Sequence, residues 1–178
     1  SGRITSPDSV AIPYQGPELA AATPYRWEVE AWAQQTLFGQ TKSLTPASAP
    51  LRASSHFETG LLQTEDWGQA QWIGAKADEA RKTATPAPLL RRSFQVEKPV
   101  AHARLYLCGL GYFRATLNGA PLSDHLLDPV VTHYDRHAKY LVFDLGSRLQ
   151  PGENALGVML GNGWFNHHAR ATWGFQDA

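Results

Sequence analysis

A single cysteine, Cys108, stands in 178 residues. That excludes an internal disulfide and a cysteine-built zinc cluster. Net charge is also missing, because 16 Lys and Arg balance 16 Asp and Glu. A chain without a basic excess carries no electrostatic footprint for nucleic acid or an anionic membrane surface, so neither is expected as a partner. No apolar run approaches the roughly 20 residues of a membrane-crossing helix. The opening stretch SGRITSPDSV lacks the basic start and apolar middle of a secretory leader. Helical periodicity is scarce as well: GPELAAATP is short and bounded by prolines.

What is present is period-two alternation, the mark of half-buried strands. In ARLYLCGLGYFRATLNG, Ala103, Leu105 and Leu107 share one face while Arg104 and Tyr106 share the other. After Gly109-Leu110-Gly111, read as a bulge or bend, the alternation resumes with Phe113, Ala115 and Leu117. Asn118-Gly119 predicts a tight hairpin turn, since both residues tolerate positive φ. YRWEVEAW, SSHFETG, KYLVFDL and ALGVML read as further strands, with QPGEN as a turn before the last. The expected core is Leu105, Leu107, Phe113, Leu117, Leu141 or Val142, and Val158, between two sheets. The whole reads as all-β. Composition shifts along it: residues 1 to about 60 are rich in Pro, Ala, Ser and Thr, and KADEARKTATPAP is an unpatterned, polar connection.

The groups able to do chemistry are few. Asp124, Asp128 and Asp135 are the one dense group of carboxylates, in a turn-rich segment where aspartate bends and caps loops. His133 and His137 lie four apart in a loop running into a strand. An extended backbone would separate them by about 13 Å, too far for one metal. His167 and His168 are adjacent and point to opposite faces if extended. Trp27 and Trp32, five apart in an alternating strand, face opposite ways, and either can fill a sandwich core. GVMLGNGWFNHHARATWGF is the most suggestive stretch. Its glycines allow close backbone approach, Asn162 offers a donor and an acceptor, and Trp164 offers a ring. That combination suits a hydroxyl-bearing ligand, and it equally suits a tight contact with a neighbouring domain.

Several segments together resemble one family. PYQGPELAAATPYRWEVEAWAQQ, FETGLL, DWGQAQWIGA and PLLRRSFQV resemble the N-terminal part of bacterial α-L-rhamnosidases, and ARLYLCGLGYFRATLNG, LDPVVTHYDRHAKYLVFDL and PGENALGVMLGNGWFN match better still. The resemblance implies a partial fibronectin-III-like β-sandwich over residues 1–62. A jelly-roll, galactose-binding-like β-sandwich over 63–178 follows it, incomplete at its C-terminal end. SGRI would then fall inside the first module and WGFQDA inside the second, with strands of both supplied from elsewhere. The family's catalytic module, an (α/α)6 barrel, has no counterpart here.

The implied function is therefore non-catalytic: a scaffold or substrate-recognition segment of an inverting glycosidase that removes terminal α-L-rhamnose. No catalytic residue is expected, because the paired carboxyl groups that such hydrolysis requires are not in evidence. The alternatives are a stand-alone rhamnose-binding module and a ligand-free interaction domain. A rhamnose-containing glycan and the rest of the same polypeptide are the implied partners. Asp124, Asn162 and Trp164 are the candidate sugar contacts. No cofactor is required. Calcium is optional, with Asp124 as its candidate ligand beside its reading as a turn aspartate, since the resemblance implies that some modules of this type bind rhamnose through calcium and hard oxygen donors suit that ion. Val130 and Val131 depart from the family, which places a small residue and a tryptophan after LDP. His133 stands where an acidic residue is common.

Overall fold

The computed structural model describes residues 10–32, 34–37, 40–43, 50–75 and 87–165, with 2, 4 and 6 near the start. The histidines at 167 and 168 and the polar connection from 76 to 86 lie outside the described residues. The chain divides into two compact units, Ser1–Gln71 and Trp72–Ala178. Both are built of strands. Among the described residues the one helical element is a single 3-10 turn, Thr64–Trp67. Asp66 holds it by accepting the backbone N–H groups of Leu62 (2.7 Å) and Gln63 (2.8 Å).

In the first unit, β1 (Pro24–Ala31) pairs antiparallel with β4 (Leu51–Glu58), and β2 (Gln34–Leu37) with β3 (Gln40–Ser43). The β1–β4 register sorts the side chains by face. Tyr25, Trp27, Val29 and Ala31 lie opposite Phe57, Ser55, Ala53 and Leu51. Arg26, Glu28 and Glu30 lie opposite His56, Ser54 and Arg52. Tyr25 stacks on Phe57 with ring centroids 5.6 Å apart. Of the two tryptophans that the sequence left as possible core residues, Trp27 remains 41% and Trp32 38% exposed. The described strands of this unit form ribbons two strands wide, and the β1–β4 ribbon leaves most of both faces exposed.

The second unit is a sandwich. Its larger sheet has the order β5-β10-β7-β8, from Leu89–Val96, Gly152–Gly161, Tyr112–Leu117 and Ala120–Pro121. The smaller pairs β6 (Arg104–Cys108) with β9 (Tyr140–Asp144). Phe113, Ala115 and Leu117, alternate residues of β7, are buried with Leu122 and Leu145. Leu105, Leu107, Leu141, Phe143, Leu156, Val158 and Leu160 pack against them from both sheets. Of the pair left open by sequence, Leu141 is the inward one, and Val142 is 45% exposed. The Gly109-Leu110-Gly111 step does more than bend a strand, because the strands on its two sides belong to different sheets. Asn118 (φ 51°) and Gly119 (φ 84°) make the tight turn as expected.

Polar contacts fasten the ends of this sandwich. Arg148 Nη1 donates to the carbonyls of Pro121 (3.0 Å) and Leu122 (3.1 Å). On the smaller sheet, Arg104 Nη1 sits 2.8 Å from Asp144 Oδ1, which also accepts the Gly146 N–H at 2.9 Å. That backbone hydrogen bond, followed by the Arg104 charge, holds the Asp144 carboxyl below the usual carboxylate range. A carboxyl with a depressed folded pKa favours the folded state above its unfolded pKa, near 3.9, and that contribution is lost as pH falls through the folded value. Asp144→Asn is thus expected to flatten the fall in stability below about pH 4, and unfolding midpoints measured between neutral and acid pH check it. An unchanged acid slope would remove Asp144 from the account.

Candidate carbohydrate-binding site

Two loops meet at the end of the sandwich where β7 begins and β10 finishes. Tyr112 pairs with Gly161 there, and Phe113 with Leu160. The loop after β10 is held by glycine against glycine. Gly111 has φ +84°, and a Cβ on it would lie 2.5 Å from the carbonyl oxygens of both Gly161 and Asn162. Gly163 (φ +52°) is confined less severely, since a Cβ there would come within 3.1 Å of the Gly111 Cα. The two glycine steps therefore clasp one another inside this unit. Beyond the clasp, Trp164 is 56% and Phe165 52% exposed. Phe165 meets Tyr134 edge to face, with centroids 5.5 Å apart.

The second loop follows β8 and runs along the edge of β7 away from β10. The Leu122 N–H donates to the Ala115 carbonyl (3.0 Å), and the Phe113 N–H to the Asp128 carbonyl (2.9 Å). Pro129, joined to Asp128 by a cis bond, is fully buried. Asp124 projects from this loop with its side chain 99% exposed, and His125 Nε2 stands 3.9 Å from its carboxylate. Asp128 is more enclosed, at 29% exposure, with His125 Nδ1 3.4 Å away. A shallow open notch is lined by Arg114, Ser123, His125 and Asp128 together with Phe113 and Phe143. Sequence reasoning passed over His125, and it took Asp128 for an ordinary turn aspartate. The only signal was the DHLLD spacing, which becomes informative once the loop is known to fold back along β7.

Asn162 and Trp164 thus share one loop, and Asp124 lies on the other. Among the described residues no three His, Cys, Asp or Glu side chains gather as a metal-holding set. Asp124 contributes one carboxylate, whereas calcium takes six to eight oxygens. His133 and His137 lie in a loop running into β9, as the sequence reads, but that loop is turned and not extended between them. The His133 carbonyl accepts the N–H groups of both Arg136 and His137 at 2.9 Å, which makes a turn. Cys108 is half-buried, and burial pushes its thiol pKa up, so it stays protonated.

Comparison with known proteins decides the family. Residues 98–177 match the family model described as the α-L-rhamnosidase N-terminal domain. Residues 1–63 match the one described as the Rha78A-like N-terminal immunoglobulin domain. An α-L-rhamnosidase of Formosa agariphila is 33% identical over 186 residues, covering 94% of this chain. This chain belongs with the N-terminal domains of the α-L-rhamnosidases. A further α-L-rhamnosidase, from Alteromonas sp., is 30% identical over 93% of the chain. The solved α-L-rhamnosidase of Dictyoglumus thermophilum superposes on 85% of the chain with a TM-score of 0.70 at 32% identity, covering 17% of that structure. The Aspergillus terreus enzyme superposes on 90% with a TM-score of 0.72 at 25% identity, covering 18%. The chain spans about 18% of the length of the curated rhamnosidases it matches. An immunoglobulin domain and a fibronectin-III module share the β-sandwich architecture, so the family model and the sequence expectation for the first unit agree at that level.

Proposed function

We propose that this chain is a non-catalytic N-terminal segment of an inverting α-L-rhamnosidase, that it scaffolds the enzyme and contacts the rhamnose-containing substrate, and that hydrolysis is carried by residues outside these 178. The observation that carries this reading is the match to N-terminal domains of α-L-rhamnosidases alone, over about 18% of their length. Trp164, half-exposed beyond a rigid glycine clasp, supplies an apolar platform of the kind sugar rings stack on. Asn162 beside it supplies hydrogen-bonding capacity. Asp124 is the third contact, and calcium, where it takes part, would complete its shell there with backbone carbonyls and water.

Calorimetric titration with L-rhamnose and a rhamnosyl oligosaccharide, with and without calcium, tests the recognition. Trp164→Ala and Asn162→Ala are each expected to weaken binding roughly tenfold, about 1.4 kcal/mol. Affinity unchanged in both variants would remove this loop from the substrate site. The same protein is expected to release no phenol from an aryl α-L-rhamnoside, for want of the two placed carboxyl groups. Turnover above buffer that disappears in Asp124→Asn or Asp128→Asn would refute the non-catalytic reading.

A further inference from the structure

The tight turn between β7 and β8 carries a reactive pair as well as a structural one. In an Asn-Gly sequence the glycine nitrogen can attack the asparagine side-chain carbon, because no Cβ on the glycine stands in the way. At Asn118-Gly119 the attacking group is open. Gly119 is exposed, and nothing lies within 4 Å of the point where its Cβ would sit. The group attacked is fastened. Asn118 Nδ2 donates to Asn154 Oδ1 at 2.9 Å, and Asn118 Oδ1 accepts the Ala155 N–H at 2.8 Å. The Asn118 N–H donates to the Ala155 carbonyl, also at 2.8 Å. These bonds hold the side chain against β10. The left-handed backbone of Asn118 (φ 51°) acts in the same sense, since in that conformation the next nitrogen lies nearly opposite Cβ across the Cα–C bond. Ring closure therefore requires the turn to part from β10.

We propose that Asn118 is a site of spontaneous covalent modification, deamidation, and that Asn154 is the lock that gates it. While the lock holds, the amide is out of reach. When the hairpin opens, hydroxide takes the Gly119 amide proton and the nitrogen forms a bond to Asn118 Cγ. The Cγ–Nδ2 bond breaks, and the leaving nitrogen takes a proton from water and departs as ammonia. The product is a five-membered succinimide. Water opens it at either carbonyl, to aspartate or to isoaspartate at position 118. No electrons are exchanged, and water is the only co-reactant. Neither product restores the lock. An aspartate oxygen in place of Nδ2 would face Asn154 Oδ1, acceptor against acceptor. Asn154 cannot turn its amide round to meet it, because its Nδ2 donates to the Gln150 and Gly152 carbonyls while its Oδ1 accepts the Gln150 N–H. Isoaspartate lengthens the backbone by a methylene inside a two-residue turn, where the geometry of the hairpin has no room for it. An opening of the hairpin that goes on to reaction is thus made permanent.

Peptide mass spectrometry of the intact protein tests this, by following replacement of the amide nitrogen by oxygen at Asn118 during storage in mildly alkaline buffer. In the folded protein Asn118 is expected to react at least roughly tenfold more slowly than in the urea-unfolded chain, since only the open fraction reacts. Asn154→Ala, compared at a temperature where circular dichroism shows it folded, is expected to react roughly tenfold faster at Asn118 than the folded wild type. Small additions of urea to the wild type, below its unfolding transition, give the same reading without a mutation, and the rate is expected to rise with them. Asn118→Asp, which has the first product built in, is expected to melt roughly 4–8 °C lower, the shift that loss of one ordinary hydrogen bond gives a domain near 100 residues. Equal rates in the folded and unfolded protein overturn the proposal. A folded Asn154→Ala with an unchanged rate overturns it too, and where that variant does not fold, a rate that stays flat in low urea does so. An Asn118→Asp variant that melts with the wild type overturns the claim that the lock is lost for good.

Discussion

Asn154→Ala is expected to destabilise the second unit by about 3 kcal/mol, which lowers its thermal midpoint by roughly 12–24 °C for a domain near 100 residues. Asn154 is 1% exposed and makes every hydrogen bond within reach. Its Oδ1 accepts from the Gln150 N–H and from Asn118 Nδ2, each at 2.9 Å. Its Nδ2 donates to the carbonyls of Gln150 (2.7 Å) and Gly152 (3.1 Å). Asn118 completes the link, its Oδ1 accepting the Ala155 N–H at 2.8 Å. One buried amide therefore ties the turn before β10 to the β7–β8 hairpin. Alanine removes four bonds worth about 1 kcal/mol each; water reaching the exposed partner residues Asn118, Gln150 and Gly152 recovers part of that. Urea unfolding of the wild type and variant measures the difference. A loss under about 1 kcal/mol, the worth of one ordinary hydrogen bond, would show that the network is not holding the turns together.

Gly111→Ala is expected to cost about 3 kcal/mol and to disorganise the Asn162–Trp164 loop. Two terms add. Alanine at φ +84° is strained, by roughly 1–3 kcal/mol. Its Cβ would also sit 2.5 Å from two backbone carbonyl oxygens, which cannot rotate away as a side chain would. Relief requires moving the Gly161–Gly163 backbone, so the variant is expected to lose sugar affinity as well as stability. Gly119→Ala is the control. Its φ is also +84°, yet nothing lies within 4 Å of the added Cβ, so it reports the strain term alone. Equal stability losses in the two variants would show that the clasp adds nothing to backbone strain.

The second unit was largely legible in the sequence, for a local reason. Alternation through Leu105, Leu107, Phe113, Ala115 and Leu117 names the inward face of each strand without reference to any partner, because side-chain direction in a strand is set by the backbone's period of two. Asn118-Gly119 names its turn just as locally. The first unit was less legible. The alternation from Tyr25 to Trp32 is real and sorts the faces of β1, but it carries no information about what lies over the apolar face, so it left open whether either tryptophan fills a core. The spacing of His133 and His137 was misjudged for a related reason, although their place in a loop before β9 was read correctly. No hydrophobic pattern distinguishes a short turn from extended chain when the turn is made by one carbonyl accepting two N–H groups.

The sequence by itself determined the all-β class, the inward residues of the sandwich strands, the Asn-Gly turn and, through its segments, the rhamnosidase resemblance. All of these depend on spacing along the chain. Only the tertiary structure decided that Gly109–Gly111 crosses between sheets, that Gly111 and Gly163 clasp one another, that Asn154 joins two turns, and that His125 and Asp128 line a notch while Asp124 stands in solvent. Each of these depends on contacts between residues some 30 to 50 positions apart or on which edge of β7 a loop follows. Such contacts are selected by the packing free energy of the whole sandwich, and no local periodicity encodes them.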